Sequence, residues 1–319
     1  MNYKDSGVNT ELAENLVKKH VSKFSNQIGK FAASVDTYVR AHSSDLVASV
    51  DGVGTKVLLA KQYKELTNYS LNNIGKDCVA MVMNDIACEN AKPIMFMDYF
   101  ATGKLDESDY QEVLSGMHEY CEQLHIPILG GETAELPGMF VEGAFDVCGF
   151  GLGIRWDNIV QMKEGDVVIG FESSGVHSNG FSLIRKIIDE EYGGLLGLID
   201  HHPGLTEKLL RSTKLYEYNI DVLRRYDIPI SGIAHITGGG FSNIYRVIPE
   251  GLAVSWNLEE DYYNCRDIFE WIRSNSGLTI EEMRNTFNCG IGMMAVVQEL
   301  TADELSEEFI VLGEIVKCT

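Results

Sequence analysis

The chain has 319 residues with 45% hydrophobic and 23% charged side chains, enough for about two domains with buried cores and no help from disulfides. Its 26 Lys+Arg against 47 Asp+Glu give a formal net charge of −21, which argues against nucleic acid and anionic membrane surfaces as partners. No apolar run approaches the roughly 18 residues of a membrane span, the start MNYKDSGVNTEL has no signal-peptide core, and the 7 cysteines form no CxxC pair. A cytoplasmic, soluble and reduced protein is the expectation.

Strand-like and helix-like patterns alternate, which predicts an α/β (α+β) architecture. Asn9 or Thr10 is placed to cap a helix through His20. LVASV at 46–50 reads as a strand, followed by the loop DGVGTK. Residues 71–90 read as a helix and MFMDYF at 95–100 as a strand. ESDYQEVLSGMHEYCEQL at 107–124 has the apolar period of an amphipathic helix. IPIL at 126–129 is a short strand running into GGETAELPGM, and 145–154 and 166–171 read as two more strands. The polar stretch between them sets a domain boundary near residue 157, dividing the chain into 1–157 and 158–319. Beyond it come the loop SSGVHSNG, the helix FSLIRKIIDEE, a helix at 213–226, a strand ending at ITGGGFSN, and strands near 291–297 and 309–316.

Four glycine-rich loops follow predicted strands: 51–56, 130–133, 173–180 and 237–243. Glycine lets a backbone approach a ligand closely, and successive N–H groups then cradle an anion. Any one of these loops alone reads equally as a tight turn. Four together, bearing hydroxyls, Asn, Lys or His, point to phosphate. None is a Walker A loop, because no Gly-Lys pair is followed by Ser or Thr. Gly149, Gly151 and Gly153 have the wrong spacing for a dinucleotide fingerprint.

The acids are more telling. Asp85 falls on the stripe formed by Ile74, Cys78, Met81 and Val82, and Asp77 and Asn84 share one edge of that face. An acid on a buried stripe is costly unless it is paired or meets a metal. Asp98 sits within the apolar run 95–100, Asp51 ends a strand, and Glu132 and Glu135 border a glycine pair. Hard oxygen ligands at several strand ends suit Mg²⁺, whereas each acid taken singly reads as structural pairing. His177 is the only one of 8 histidines inside a glycine-rich loop, where it is placed to relay a proton or donate to an oxyanion. His235, just before the Thr237 loop, is a secondary candidate, and Cys289 lacks a local base.

Seven ordered blocks then carry a resemblance: DGVGTK at 51–56, DCVAMVMND at 77–85, DYFATGKLD at 98–106, GGETAELPGM at 130–139, SSGVHSNGFSL at 173–183, AHITGGGF at 234–241 and TFNCGIGM at 286–293. With YKDSGV at 3–8, they make the chain resemble the phosphoribosylformylglycinamidine cyclo-ligases (aminoimidazole ribonucleotide synthetases) of purine biosynthesis. The resemblance implies an N-terminal ATP-binding and dimerisation domain and a C-terminal domain. Two N-terminal sheets would pair into a barrel, giving a homodimer. The implied reaction is ATP-dependent ring closure of formylglycinamidine ribonucleotide to aminoimidazole ribonucleotide, ADP and phosphate.

On that resemblance Asp51, Asp85 and Glu132 would hold Mg²⁺. Thr55, Lys56, Asp77, Asn84, Asp98, Gly130, Gly131 and Thr133 would join Asp51 at the nucleotide. Lys4 and His177 would act in catalysis, and Ser178, Asn179, Gly180, Thr237, Gly238, Gly239 and Gly240 would meet the substrate. The chain departs from the family at Asn26–Ser34, which is poor in glycine, at Arg211-Ser212-Thr213-Lys214 where Ala-Pro-Thr-Arg is usual, and at Val176 where Pro is usual. Another ATP-dependent small-molecule kinase or synthetase of the same superfamily, or a catalytically silent nucleotide-binding paralogue, are the competing readings.

Overall fold

The computed structural model describes residues 33–35, 45–141, 143–156, 159–258, 266–298 and 309–318. Lys4 and the expected helix through His20 lie outside them. The elements in chain order are β1 (Ala33–Val35), β2 (Leu46–Gly52), α1 (Lys56–Thr67), α2 (Asn72–Cys88), β3 (Ala91–Thr102), α3 (Glu107–Gln123), β4 (Ile128–Glu135) and β5 (Phe145–Arg155). There follow β6 (Val167–Glu172), α4 (Phe181–Tyr192), α5 (Leu195–His201), α6 (Leu205–Leu209), α7 (Glu217–Arg225), β7 (Ile230–His235) and a 3₁₀ helix (Gly240–Arg246). The chain continues with β8 (Leu252–Trp256), α8 (Arg266–Ser276), α9 (Ile280–Arg284), β9 (Ile291–Val297) and β10 (Ile310–Lys317). Among the described residues no helix is long and apolar enough to cross a membrane.

The strands form two five-stranded sheets, ordered β1-β2-β5-β3-β4 and β7-β9-β6-β10-β8. In the first, only β3 and β4 run parallel; in the second, every pair is antiparallel. β5 alternates buried and outward positions at period two, as a strand with one covered face must. α3 starts where the Asp106 side chain accepts the Asp109 N–H at 2.9 Å, an N-cap that satisfies a donor the helix itself leaves open.

α2 packs on β2, β3 and β5 of the first sheet and also on β7 of the second. That double coverage buries nearly its whole length, so its polar residues belong to an interior junction rather than to a surface. Gly149, Gly151 and Gly153 make the close approach possible: a Cβ at these positions would fall 2.5 to 2.8 Å from Phe96, Met83, Val82 or Ile86. The partial dinucleotide pattern in β5 is therefore a bare track beneath a helix.

The GGETAE segment is a correction. Residues 130–133 were expected as a loop after a strand, but β4 runs through them to Glu135, paired with β3. Their N–H groups belong to an extended edge strand rather than to a turn.

Candidate active site

Two polar clusters sit on α2, centred on Asp77 and Asp85, about two turns apart. The first is a buried ion pair. Lys56 opens α1 and is fully buried, with Nζ 2.7 Å from Asp77 Oδ2 and donating to the carbonyls of His177 (2.9 Å) and Arg211 (2.6 Å). Asp77 Oδ1 accepts both the N–H and the hydroxyl of Thr213 at 2.7 Å. Burial pushes the Asp77 carboxyl up and the Lys56 ammonium down, and their mutual attraction opposes both shifts. Seven residues further on, Asn84 accepts the Tyr216 N–H (3.1 Å) and donates to the Lys214 carbonyl (2.9 Å). Helix α2 thus grips the strap 211–216, the segment whose sequence departs from the family. Most of these bonds use strap backbone, and the retained Thr213 supplies the one strap side chain, so the departure does not undo the junction.

Lys56 and Asp77 therefore do not face a nucleotide, which corrects the expectation for both. His177 is corrected with them. It is fully buried, its Nε2 accepts the Ser174 N–H at 3.3 Å, and its ring lies 6.2 Å from that of Tyr216. Burial holds the imidazole neutral, well below its usual pKa. Its φ of 59° places it in the left-handed region, so it serves as a turn residue whose carbonyl anchors Lys56. The neighbouring Ser178 hydroxyl bonds to the Thr213 hydroxyl at 3.1 Å, Thr55 meets Ser182 at 3.2 Å, and Gly180 caps α4. Asn179 lies beside them, half-buried.

The second cluster contains acids that meet no Lys or Arg among the described residues. Asp85 Oδ1 lies 3.0 Å from His235 Nδ1, and Asp85 Oδ2 lies 3.5 Å from the Ser49 hydroxyl. The Asn84 amide nitrogen is 3.5 Å from His235 Nε2, which leaves Nδ1 to carry the proton donated to Asp85. Asp51 lies on the same face of β2 as Ser49 by the strand period and accepts the Gly52 N–H at 2.7 Å. Burial, and then the charge of Asp85, raises its carboxyl from 3.8 to about 6. His235, a secondary candidate in the sequence, comes from the second sheet to meet Asp85. Its signal was its place at a strand end before a glycine-rich loop, as for Asp51.

Glu132 does not join them. Asp51, Gly149, Asp98 and Gly131 stand in register across four strands, so at about 4.8 Å per step the ends are roughly 14 Å apart. Glu132 is the next residue and points to the opposite, outer face with Tyr99 and Cys148. Within one subunit it cannot share a cation with Asp51, which corrects the three-acid set. Asp98 faces inward two strands from Asp51, its carboxyl raised by burial. Thr133 Oγ1 meets the Tyr110 hydroxyl at 3.3 Å. Thr237 to Gly240 close on themselves: Gly240 N–H donates to the Thr237 carbonyl (2.8 Å), and Thr237 N–H to Asn243 Oδ1 (3.1 Å); Gly238 and Gly239 lie within that turn. Cys289 is buried and its thiol is pushed up by desolvation, so it is no nucleophile.

Among the described residues no group of three or more His, Cys, Asp or Glu forms a complete metal site. Two close carboxylates are nevertheless what Mg²⁺ asks of a protein when phosphate oxygens and water supply the rest. Burial raises the Asp51 carboxyl most and the charge of Asp85 adds to it, so a bound cation would ease the cost of keeping both acids ionised.

Family models for "AIR synthase related protein" match this chain twice, the N-terminal domain over residues 29–154 and the C-terminal domain over 163–318. The chain belongs to the AIR synthase related family. The phosphoribosylformylglycinamidine cyclo-ligase of Clostridium tetani is 42% identical, covering 98% of this chain and 94% of that protein. The chloroplastic/mitochondrial cyclo-ligase of Vigna unguiculata is 39% identical over 99% of this chain and 81% of its own. Of solved structures, AaThiL complexed with AMPPCP and TMP shares the AIR synthase fold at a TM-score of 0.65, with 15% identity, 100% of this chain and 93% of that one covered.

Proposed function

We propose that this protein catalyses the ATP-dependent cyclisation of formylglycinamidine ribonucleotide to aminoimidazole ribonucleotide, releasing ADP and phosphate, in purine biosynthesis. The observation that carries the proposal is near full-length identity of 37 to 42% with cyclo-ligases. An amide oxygen is a poor leaving group. Phosphorylation by ATP activates it, the ribosyl-bearing amidine nitrogen attacks the formyl carbon, and phosphate departs. Phosphoryl transfer is mainly positioning and charge neutralisation, which suits a site built from acids and loops without a nucleophile.

Asp51 and Asp85 would hold Mg²⁺, whose bound charge would offset that of the triphosphate. His235 orients the Asp85 carboxylate from the second domain, as an outer partner orients a metal ligand. The AMPPCP bound in the structural neighbour supports ATP as the nucleotide. Residues 1–157 are assigned to nucleotide binding and dimerisation, and 158–319 to the C-terminal domain.

The outer face of the first sheet supports a homodimer. Val50, Phe150 and Met97 lie in one row, with Tyr99 beside them, and each is more than a third exposed. A contiguous apolar sheet face of this kind favours a second copy. Sedimentation should give a dimer, and Phe150→Asp a monomer.

The function is tested with purified protein, ATP, Mg²⁺ and formylglycinamidine ribonucleotide, following aminoimidazole formation and ADP release together. One ADP per ring is expected. ADP release without ring formation, with another acceptor consumed instead, would overturn it.

A further inference from the structure

A cavity of about 620 Å³ lies in the C-terminal half, walled by Phe241 and Tyr245 of the 3₁₀ helix, Trp256 of β8, and Glu281 and Arg284 of α9. Its volume falls in the range of small-molecule sites. The Phe241 and Trp256 rings are 5.6 Å apart at 35°, and Tyr245 is 49% exposed. Glu281 and Arg284 are three apart on one helix, hence on one face. A Cβ on Gly240 would fall 2.0 Å from the Arg284 carbonyl oxygen, so the Thr237–Gly240 loop is seated directly on α9. The cavity wall is therefore continuous with the loop that begins two residues after His235.

This lining has a chemical complement. Aromatic faces attract a planar cation, a carboxylate pairs with its N–H groups, and a guanidinium grips a phosphate. An amidine is a planar cation at neutral pH, and the amidine ribonucleotide of the proposed reaction also carries a 5′-phosphate. We propose that this cavity binds that substrate, with the amidinium between the aromatic rings and Glu281 and the phosphate on Arg284. The assignment rests on the cyclo-ligase reading. Adenine fits less well because it lacks the positive charge that the aromatic faces and Glu281 together favour.

The test is steady-state kinetics on the full chain, with calorimetric titration of formylglycinamidine ribonucleotide in the absence of ATP. Arg284→Gln should raise the KM for the ribonucleotide about 30-fold, and Trp256→Leu about 10-fold, with the KM for ATP within about twofold of wild type. The calorimetric Kd should weaken by the same factors, and Trp256→Phe should recover most of the loss, which a general folding defect would not allow. An unchanged ribonucleotide KM in both variants overturns the proposal. A rise in the KM for ATP instead also overturns it and gives the cavity to adenine. A wild-type protein that forms no ring from this substrate removes the premise, an outcome separated from the others by the wild-type control alone.

Discussion

Helix α2 carries two acids eight positions apart, and their surroundings are opposite. Asp77 is enclosed by the Lys56 ammonium and two Thr213 donors, inside a junction that joins the two halves of the chain. Asp85 has a histidine and a distant hydroxyl, and a second acid close by. An interior charge whose partners are all protein groups has structural work. Asp51 and Asp85 pair with no Lys or Arg among the described residues, and a proton or a bound cation would ease their repulsion. The difference separates scaffold from site more sharply than burial alone does.

The comparison breaks first at Asp85. Asp85→Asn should lower kcat/KM for ring closure by about 10³-fold, a size typical of lost electrostatic stabilisation, with the thermal midpoint close to wild type. A large fall in the midpoint with normal turnover would make Asp85 structural too. At the other end, Lys56→Met should destabilise the protein by about 3–5 kcal/mol, because it leaves a buried carboxylate without its cation. Adding Asp77→Asn should return part of that loss in denaturant titrations; a double variant no better than the single would mean the pair is not coupled.

Asp51 sharpens the contrast through pH. In the metal-free and nucleotide-free protein its carboxyl is raised from 3.8 to about 6, so the folded state holds the proton more tightly than the unfolded one. Stability should therefore fall as pH rises from about 4 to 6 and level off above, by up to about 3 kcal/mol. Asp51→Asn should abolish that decline, giving a urea midpoint above wild type at pH 7 while Mg²⁺-dependent ATP use is lost. A midpoint for this variant below wild type at pH 7 would contradict the assignment. The smallest effect is expected at His177. Asn tolerates the left-handed backbone there, so His177→Asn should cost about 1–2 kcal/mol in stability and leave turnover per folded molecule within about twofold. Loss of turnover in a stable variant would return His177 to the catalytic set.

Much of the architecture was legible because period and punctuation carry it. The helix at 107–123 has its cap, and the strands at 46–52, 145–155 and 291–297 sit close to where apolar runs between turn residues place them. The site was legible only in part. Asp85 on an apolar stripe and Asp51 at a strand end were readable as misplaced charges, and so was Asp77. What one sequence could not say was which misplaced charge meets a lysine 21 positions earlier in the chain and which meets a histidine 150 positions later. Gly130-Gly131 misled because two glycines in a strand look the same in sequence as two in a turn. His177 shows the same limit, because a glycine-rich neighbourhood does not reveal that the residue is buried at a turn.

The track of Gly149, Gly151 and Gly153 has a consequence for how the molecule comes to be. That part of the sheet offers α2 no side chains to notch into, so its lateral placement rests on α3, where Gly75 and Gly116 let the two backbones meet, on the strap and on His235. During synthesis Asp85 is made 150 residues before its histidine partner. A ribosome-bound first half therefore holds the acids without their final alignment, and competence for chemistry arrives late, with the emergence of β7.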